Sequence, residues 1–261
     1  MNPGNESRSE FHRFRFRMSR GQPRPASRKR ARLPPGGRRC PLMGGERPVR
    51  HDWVYLGANW AEALRSPLVP DVLAHITAWR DQGRPFAVAR QEPPDQEDDL
   101  RLGLTLPDRR HLSLHGALSA VERHLPPPTV QEVRASAPAA WGPALDDVIA
   151  LGTALDLTVG VFGSLAWQHR SGVPFVRPLS DVDLLFAPAR WSDVERLLFG
   201  LEAVSRRHSV VRLDGEVLLP DGGAVSWREL ALEPERIWVT GPRGASPRTL
   251  RELRALFPSE S

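Results

Sequence analysis

Cysteine is almost absent: the 261 residues contain one, Cys40. A single thiol closes no internal disulfide and builds no cysteine-based zinc site, so a reducing compartment is expected. No apolar run approaches the length of a bilayer-spanning helix, which sets a membrane span aside. Residues 1–48 lack the apolar segment of a secretory signal. Cytoplasm is therefore the expected location. No internal repeat is present, which sets aside repeat architectures.

What is there is unevenly distributed. Residues 1–48 hold 13 of the 36 Lys+Arg and 3 of the 31 Asp+Glu, leaving 23 basic and 28 acidic side chains for the remainder. The formal net charge of +5 thus originates in this leader, and the globular part is acidic. Basicity of the whole chain is accordingly no argument for nucleic acid as a partner. Stretches such as Arg28-Lys29-Arg30-Ala31-Arg32 and Pro34-Pro35-Gly36-Gly37 bury too little apolar surface to fold, and residues 1–48 are expected to form a disordered basic leader. The favoured reading is a gene start placed too far upstream, with Met43 as initiator. A basic arm for an acidic partner and a targeting peptide are the other two readings.

Order is expected from about Val49. Phe86, Ala87 and Val88 read as a strand, residues 91–99 as a polar loop, and Arg101–Thr105 and Arg110–Leu114 as strands around a Pro107-Asp108 turn. Residues 49–128 form an N-terminal α+β domain on this reading. Pro126-Pro127-Pro128 is a stiff break, followed by a linker over 129–142. Residues 143–261 form the second domain. There Pro143–Leu157 reads as a helix, Thr158–Phe162 as a strand, and Leu165-Ala166-Trp167-Gln168 as a helix start after Gly163-Ser164. Val182–Phe186 and Val210–Leu219 read as strands. Ser192-Asp193-Val194-Glu195 fits a capping box ahead of an amphipathic helix with Val194, Leu197, Leu198, Leu201 and Val204 on one face. Ser226-Trp227-Arg228-Glu229 reads as a further cap and Leu250–Phe257 as a terminal helix. The fold class is α+β, a small N-terminal α+β domain followed by a mixed sheet with flanking helices.

The chemistry concentrates in Gly163-Ser164 and Asp181-Val182-Asp183. Alternate strand side chains share a face, so Asp181 and Asp183 project together. Two carboxylates that close repel unless a cation or a proton lies between them. Oxygen ligands suit a hard ion such as Mg²⁺, which also binds substrate phosphates. Gly163 permits close backbone approach, Ser164 adds a hydroxyl, and the helix start offers N–H groups to a phosphate. A third carboxylate is expected on the strand Val211–Val217, with Asp214 preferred over Glu216 and also a candidate general base. Such a set serves in-line displacement at phosphorus.

Several stretches, in order, resemble the phosphoribosyl-dephospho-CoA transferase family, also called malonate decarboxylase holo-(acyl-carrier-protein) synthase. They are Arg50-His51-Asp52-Trp53, Arg84–Gln91, Leu102–Pro107, Gly160–Gln168, Ser180–Leu185, and Arg212–Glu216 through Trp227–Leu230. The resemblance runs from about Val49 to the C-terminus and excludes the leader. It implies a polymerase-β-type nucleotidyltransferase core with the catalytic aspartates at Asp181 and Asp183. It also implies transfer of the phosphoribosyl-dephospho-CoA group from 2′-(5″-triphosphoribosyl)-3′-dephospho-CoA to a serine of the apo acyl carrier protein of malonate decarboxylase, with release of pyrophosphate. One departure is the 16 residues between Ser164 and Asp181, longer than is common in the wider superfamily, which read as a substrate loop.

Arg90 and Arg212 complete the expected phosphate contacts with Gly163 and Ser164, since guanidinium forks suit phosphate. Arg177 is a further candidate for the leaving pyrophosphate. Arg50, Arg84 and Arg101 are weighed against ordinary surface charge. His51 is read as a structural hydrogen-bonding group. His111 and His115 share a strand face but lack a third zinc ligand nearby in sequence. Trp167 and Trp227 are read as core rather than adenine-stacking side chains. Two other functions stand beside transfer to a carrier protein: a nucleotidyltransferase with another acceptor, and a catalytically silent binding module of the same fold.

Overall fold

Two sheets share one hydrophobic core in the computed structural model, which describes residues 47–92, 95–108, 110–241 and 244–259. The leader readings, the Met43 start among them, lie outside the described residues. The first sheet contains β1 (Trp53–Leu56), β2 (Phe86–Val88), β3 (Asp99–Thr105), β4 (His111–Ala117) and β5 (Val121–Leu125), and a helix, α1 (Pro70–Asp81), lies between β1 and β2 in the chain. Its strand order is β4-β3-β2-β1-β5 and every pairing is antiparallel. Strands β3 and β4 extend beyond the expected ranges, because Asp99 and Ala117 still pair.

The second sheet follows α2 (Val130–Val133) and α3 (Gly142–Ala154) and has the order β11-β10-β9-β8-β7-β6. Its strands are β6 (Val159–Phe162), β7 (Val182–Phe186), β8 (Leu213–Leu218), β9 (Ala224–Ser226), β10 (Ile237–Gly241) and β11 (Gly244–Arg248). The helices α4 (Gly163–Ser171), α5 (Trp191–Arg207), α6 (Trp227–Ala231) and α7 (Leu250–Arg254) interleave. Only β7 and β8 run parallel, while the other pairs are antiparallel. A parallel pair needs a crossover, and α5 supplies it, burying Val194, Leu197, Leu201 and Val204 as its spacing requires. Each fully buried Leu or Phe of this kind contributes about 1.5–3 kcal/mol of transfer free energy.

Four expectations change. Ser226 stands at the cap position of α6 but makes no side-chain cap bond. Residues 129–142 are not a linker: Thr129 caps α2 in a capping box with Glu132, and Val130, Val133 and Trp141 are buried. The prolines before them end one sheet, and the apolar residues after them enter the core. The capping box at Ser192 is not formed. Helix α5 begins at Trp191, two residues before the start a Ser192 cap would give, with Arg190 at the cap position, and Asp193 accepts from Arg190 and Arg196. The terminal helix stops at Arg254, and its capping box is Thr249 with Glu252.

The two sheets meet through aromatic rings. Trp167 of α4 packs edge-on against Trp53 of β1, ring centroids 4.6 Å apart, and lies 5.8 Å from Phe175. Trp167 and Trp227 are both buried, so they are core side chains, as read from the sequence. Among the described residues, no helix is long and apolar enough to cross a membrane.

Candidate active site

Three adjacent strands bring the acidic residues to one level. Phe162 at the end of β6 sits opposite Asp183 on β7, and Asp183 is in register with Asp214 on β8. Asp181 precedes β7 by one residue and shares the face of Asp183 by strand periodicity. Val182 and Leu184 point the other way and are fully buried. Apolar packing on one side thus fixes the carboxylates on the other.

Asp183 lacks a guanidinium of its own, and its carboxyl is pushed up to about 7. Burial is the first cause, followed by the charges of Asp214, Asp181 and Glu216. Arg212 lies at the flank. It donates to Asp181 Oδ2 at 3.2 Å and to Asp214 Oδ2 at 3.0 Å, so two of the acids share one cation and the third has none. Asp181, Asp183 and Asp214 offer oxygen donors alone, the donor type of a hard divalent cation.

The glycine beside these acids has a measurable reason to be there. Gly163 takes φ +66°, and a Cβ at this position would stand 1.9 Å from Asp183 Oδ2. Only a residue without a side chain lets β6 turn into α4 under that carboxylate. No side chain caps the start of α4, so its first N–H groups, beside Ser164, have no side-chain cap of their own. Gly215 is the second such position. It has φ +139° and would place a Cβ 2.0 Å from the Leu184 carbonyl oxygen, so the close approach of β8 to β7 depends on it.

Glu216 has a different task from Asp214. Arg50 grips it with two hydrogen bonds of 2.8 and 2.9 Å, and His51 Nε2 lies 3.2 Å away. Burial works to raise the Glu216 carboxyl, but His51 and Arg50 outweigh it and hold it at about 2. Burial lowers the His51 imidazole, so a neutral ring donating from Nε2 satisfies this contact. The turn carrying both residues is held by its own bonds. The Val49 N–H donates to Asp52 Oδ2 at 2.9 Å, and the His51 N–H donates to the Val88 carbonyl at 3.0 Å. His51 adopts φ +75°, an uncommon backbone for a non-glycine residue. Its ring also stacks near Phe162, centroids 4.3 Å apart. The first sheet thereby reaches over the acidic face of the second. This contact spans 166 positions, and sequence spacing gave no sign of it.

The remaining candidates disperse. Arg90 is not among the acids: it lines a cavity beyond Glu216 with Arg50. Arg177 is tied to the Pro107 carbonyl at 2.8 Å, Arg84 lies over the Trp79 ring, and Arg101 holds Asp95 with two bonds. His115 does have acidic neighbours, Asp95 and Asp99, at 3.5 and 3.6 Å, which sequence spacing had hidden. The cluster has ligand atoms within 4.8 Å of one another, yet Arg101 and Arg65 already neutralise its acids. His111 faces Thr105 at 3.1 Å instead. The long segment after α4 is anchored by Gln168 Oε1, which accepts from the Phe175 and Val176 N–H groups at 3.1 Å.

Comparison with known proteins agrees with this division. Residues 49–127 match the model of the phosphoribosyl-dephospho-CoA transferase MdcG N-terminal domain, and residues 129–249 match that of its C-terminal domain. Both describe parts of a transferase, the class of enzyme this chain joins. A protein of Xanthomonas campestris pv. campestris, named phosphoribosyl-dephospho-CoA transferase, is 37% identical over 217 residues, 80% of this chain and 96% of that protein. A Bradyrhizobium diazoefficiens protein of the same name is 34% identical over 197 residues, 73% of this chain and 85% of that protein. No solved structure matches. The chain belongs to the phosphoribosyl-dephospho-CoA transferase family.

Proposed function

We propose that the chain transfers the phosphoribosyl-dephospho-CoA group from 2′-(5″-triphosphoribosyl)-3′-dephospho-CoA to a serine of the apo acyl carrier protein of malonate decarboxylase. Pyrophosphate is the other product. The observation that carries this reading is the register of Asp183 with Asp214, beside a glycine that leaves no room for a Cβ next to the Asp183 carboxylate, in a chain of this family.

The residues divide the work. The start of α4, with Gly163 and Ser164, cradles the triphosphate through N–H groups and a hydroxyl. Asp181, Asp183 and Asp214 would hold Mg²⁺, whose charge offsets that of the polyphosphate when bound. The Asp183 carboxyl, raised first by burial and then by the charges of Asp214, Asp181 and Glu216, is consistent with this assignment, since a bound cation would offset both effects. Arg212 turns from the carboxylates toward the departing pyrophosphate. The serine oxygen bonds to the α-phosphorus as the bond to pyrophosphate breaks in line. The serine proton passes to Asp214, whose Oδ1 is oriented by the Gly215 N–H at 2.8 Å. Glu216 is reserved for Arg50 and His51 and takes no part in the transfer.

Incubating the chain with apo carrier protein and the labelled triphosphate precursor tests this directly. Label should appear on the carrier serine, with one pyrophosphate released per transfer, and Asp183→Ala should abolish it. Labelling of the carrier by ATP alone would point to a nucleotidyltransferase of other specificity. Unchanged transfer by the Asp183 variant would remove the pair from catalysis.

A further inference from the structure

Strand β8 does more than carry Asp214. Side chains on one face recur every second residue, so Asp214, Glu216 and Leu218 form one row. Leu218 lines a cavity of about 310 Å³, a volume within the range of small-ligand sites. The row from Asp214 to Leu218 spans four residues, on the order of 13 Å at about 3.3 Å per residue. A ligand whose reacting phosphate lies at Asp183 and Asp214 therefore reaches this cavity with a group some 13 Å further along.

The lining has a distinctive composition. Leu218, Leu219, Val88 and Ala224 make its walls apolar, and Arg47, Arg50 and Arg90 stand around it, with no carboxylate among the lining residues. Arg50 is already committed to Glu216. The other two are not locked. Arg90 stands 3.9 Å from Glu92, beyond hydrogen-bond distance, and Arg47 reaches the Asp99 carbonyl at 3.4 Å. An apolar chamber with two available guanidiniums fits an organic body that carries its own phosphates. It does not suit a bare polyphosphate, which would leave the walls unused.

We propose that this cavity binds the dephospho-coenzyme A portion of the substrate, its diphosphate against Arg47 and Arg90 and its apolar portion against Leu218 and Ala224. The assignment rests on the function proposed above, and it makes substrate selection a property of a surface shared by both sheets. Arg90 thereby recognises a phosphate remote from the one that reacts.

The experiment uses the full chain and dephospho-coenzyme A as probe, titrated calorimetrically, alongside steady-state transfer. Wild type and Asp183→Asn should bind the probe with similar affinity, although the variant transfers nothing. Leu218→Trp, which fills the chamber, and Arg90→Glu, at a half-exposed site, should each weaken probe binding at least tenfold. Both should raise KM for the triphosphate precursor with kcat within a few-fold of wild type. Should Leu218→Trp fail to fold, Arg90→Glu decides alone. Wild-type probe affinity in a folded Arg90→Glu or Leu218→Trp variant would overturn the assignment, as would displacement of the probe by inorganic tripolyphosphate. These outcomes leave the transfer assay untouched. Absence of transfer by the wild-type chain, with its probe binding intact, would strike the proposed function instead.

Discussion

Two places among the described residues set acidic side chains side by side, Asp95 and Asp99 with His115 and Asp183 in register with Asp214 beside Asp181, and they are in opposite electrostatic states. At Asp95, Asp99 and His115, Arg101 forks onto Asp95 and Arg65 bonds Asp99. The Asp95 carboxyl is held down to about 2, first by the hydrogen bond from Arg101. At Asp181, Asp183 and Asp214 a lone guanidinium bridges the outer two acids, and the middle carboxyl is pushed up to about 7. Closeness of ligand-type atoms does not distinguish a cation site from a structural ion cluster. The local charge balance does, because a compensated cluster gains little from a further cation and an uncompensated one gains a great deal.

The largest expected contrast comes from neutralising one acid in each place. Asp183→Asn should lower kcat by about 10³-fold or more, the scale seen when a member of a catalytic set is removed. Its melting temperature should hold or rise, because a repelled carboxylate is gone. Asp99→Asn should do the reverse, leaving the folded enzyme active while unfolding becomes easier, because the amide keeps only one of the two oxygens that accept from Arg65 and the Gln96 N–H and loses the charge facing Arg65. Paired denaturation curves and transfer assays read both effects.

Glu216 sharpens the contrast inside the active sheet itself. Glu216→Gln leaves Arg50 without its counter-charge, and stability should fall by about 2–4 kcal/mol, with kcat changing less than about tenfold. A collapse of kcat at full stability would make Glu216, and not Asp214, the third working carboxylate. Arg212→Gln should act more mildly, lowering kcat about tenfold with little change in melting temperature, since Arg212 is largely exposed.

Asp52 lies outside both clusters, and its effect is read in the pH dependence of stability. Burial pushes its carboxyl up to about 6 from 3.8. The folded chain therefore keeps a proton that the unfolded chain has lost between those values, so this group's contribution to stability falls as pH rises from about 4 to 6. The difference is on the order of 3 kcal/mol. Asp52→Asn should flatten the stability profile across this window. An unchanged slope would show that Asp52 titrates normally.

How much of this was legible in the sequence depends on the range of the interaction. The shared face of Asp181 and Asp183 follows from a period of two residues, and α5 from apolar spacing, so both could be read directly. The capping boxes at Thr129 and Thr249 carried the same kind of local signal as the one wrongly assigned at Ser192. The difference lay in the first helical residue, which tertiary packing decides. The segment 129–142 misled because Pro126-Pro127-Pro128 suggests a linker, while the burial of Val130 and Val133 comes from packing against α3, β6 and α4, which no local pattern shows. The choice between Asp214 and Glu216 needed Arg50, and the exclusion of Arg90 from the acids needed the relative placement of β2 and β8. Side-chain partners more than 100 residues apart leave no periodic trace.

The most direct test of the β7–β8 acids as the cation site is Mn²⁺ titration of wild type, Asp183→Asn and Asp99→Asn, followed by calorimetry or electron paramagnetic resonance. Wild type and Asp99→Asn should bind the ion alike, and Asp183→Asn should lose binding. Retention by Asp183→Asn together with loss in Asp99→Asn would place the cation at the Asp95, Asp99 and His115 cluster and contradict the charge-balance reading.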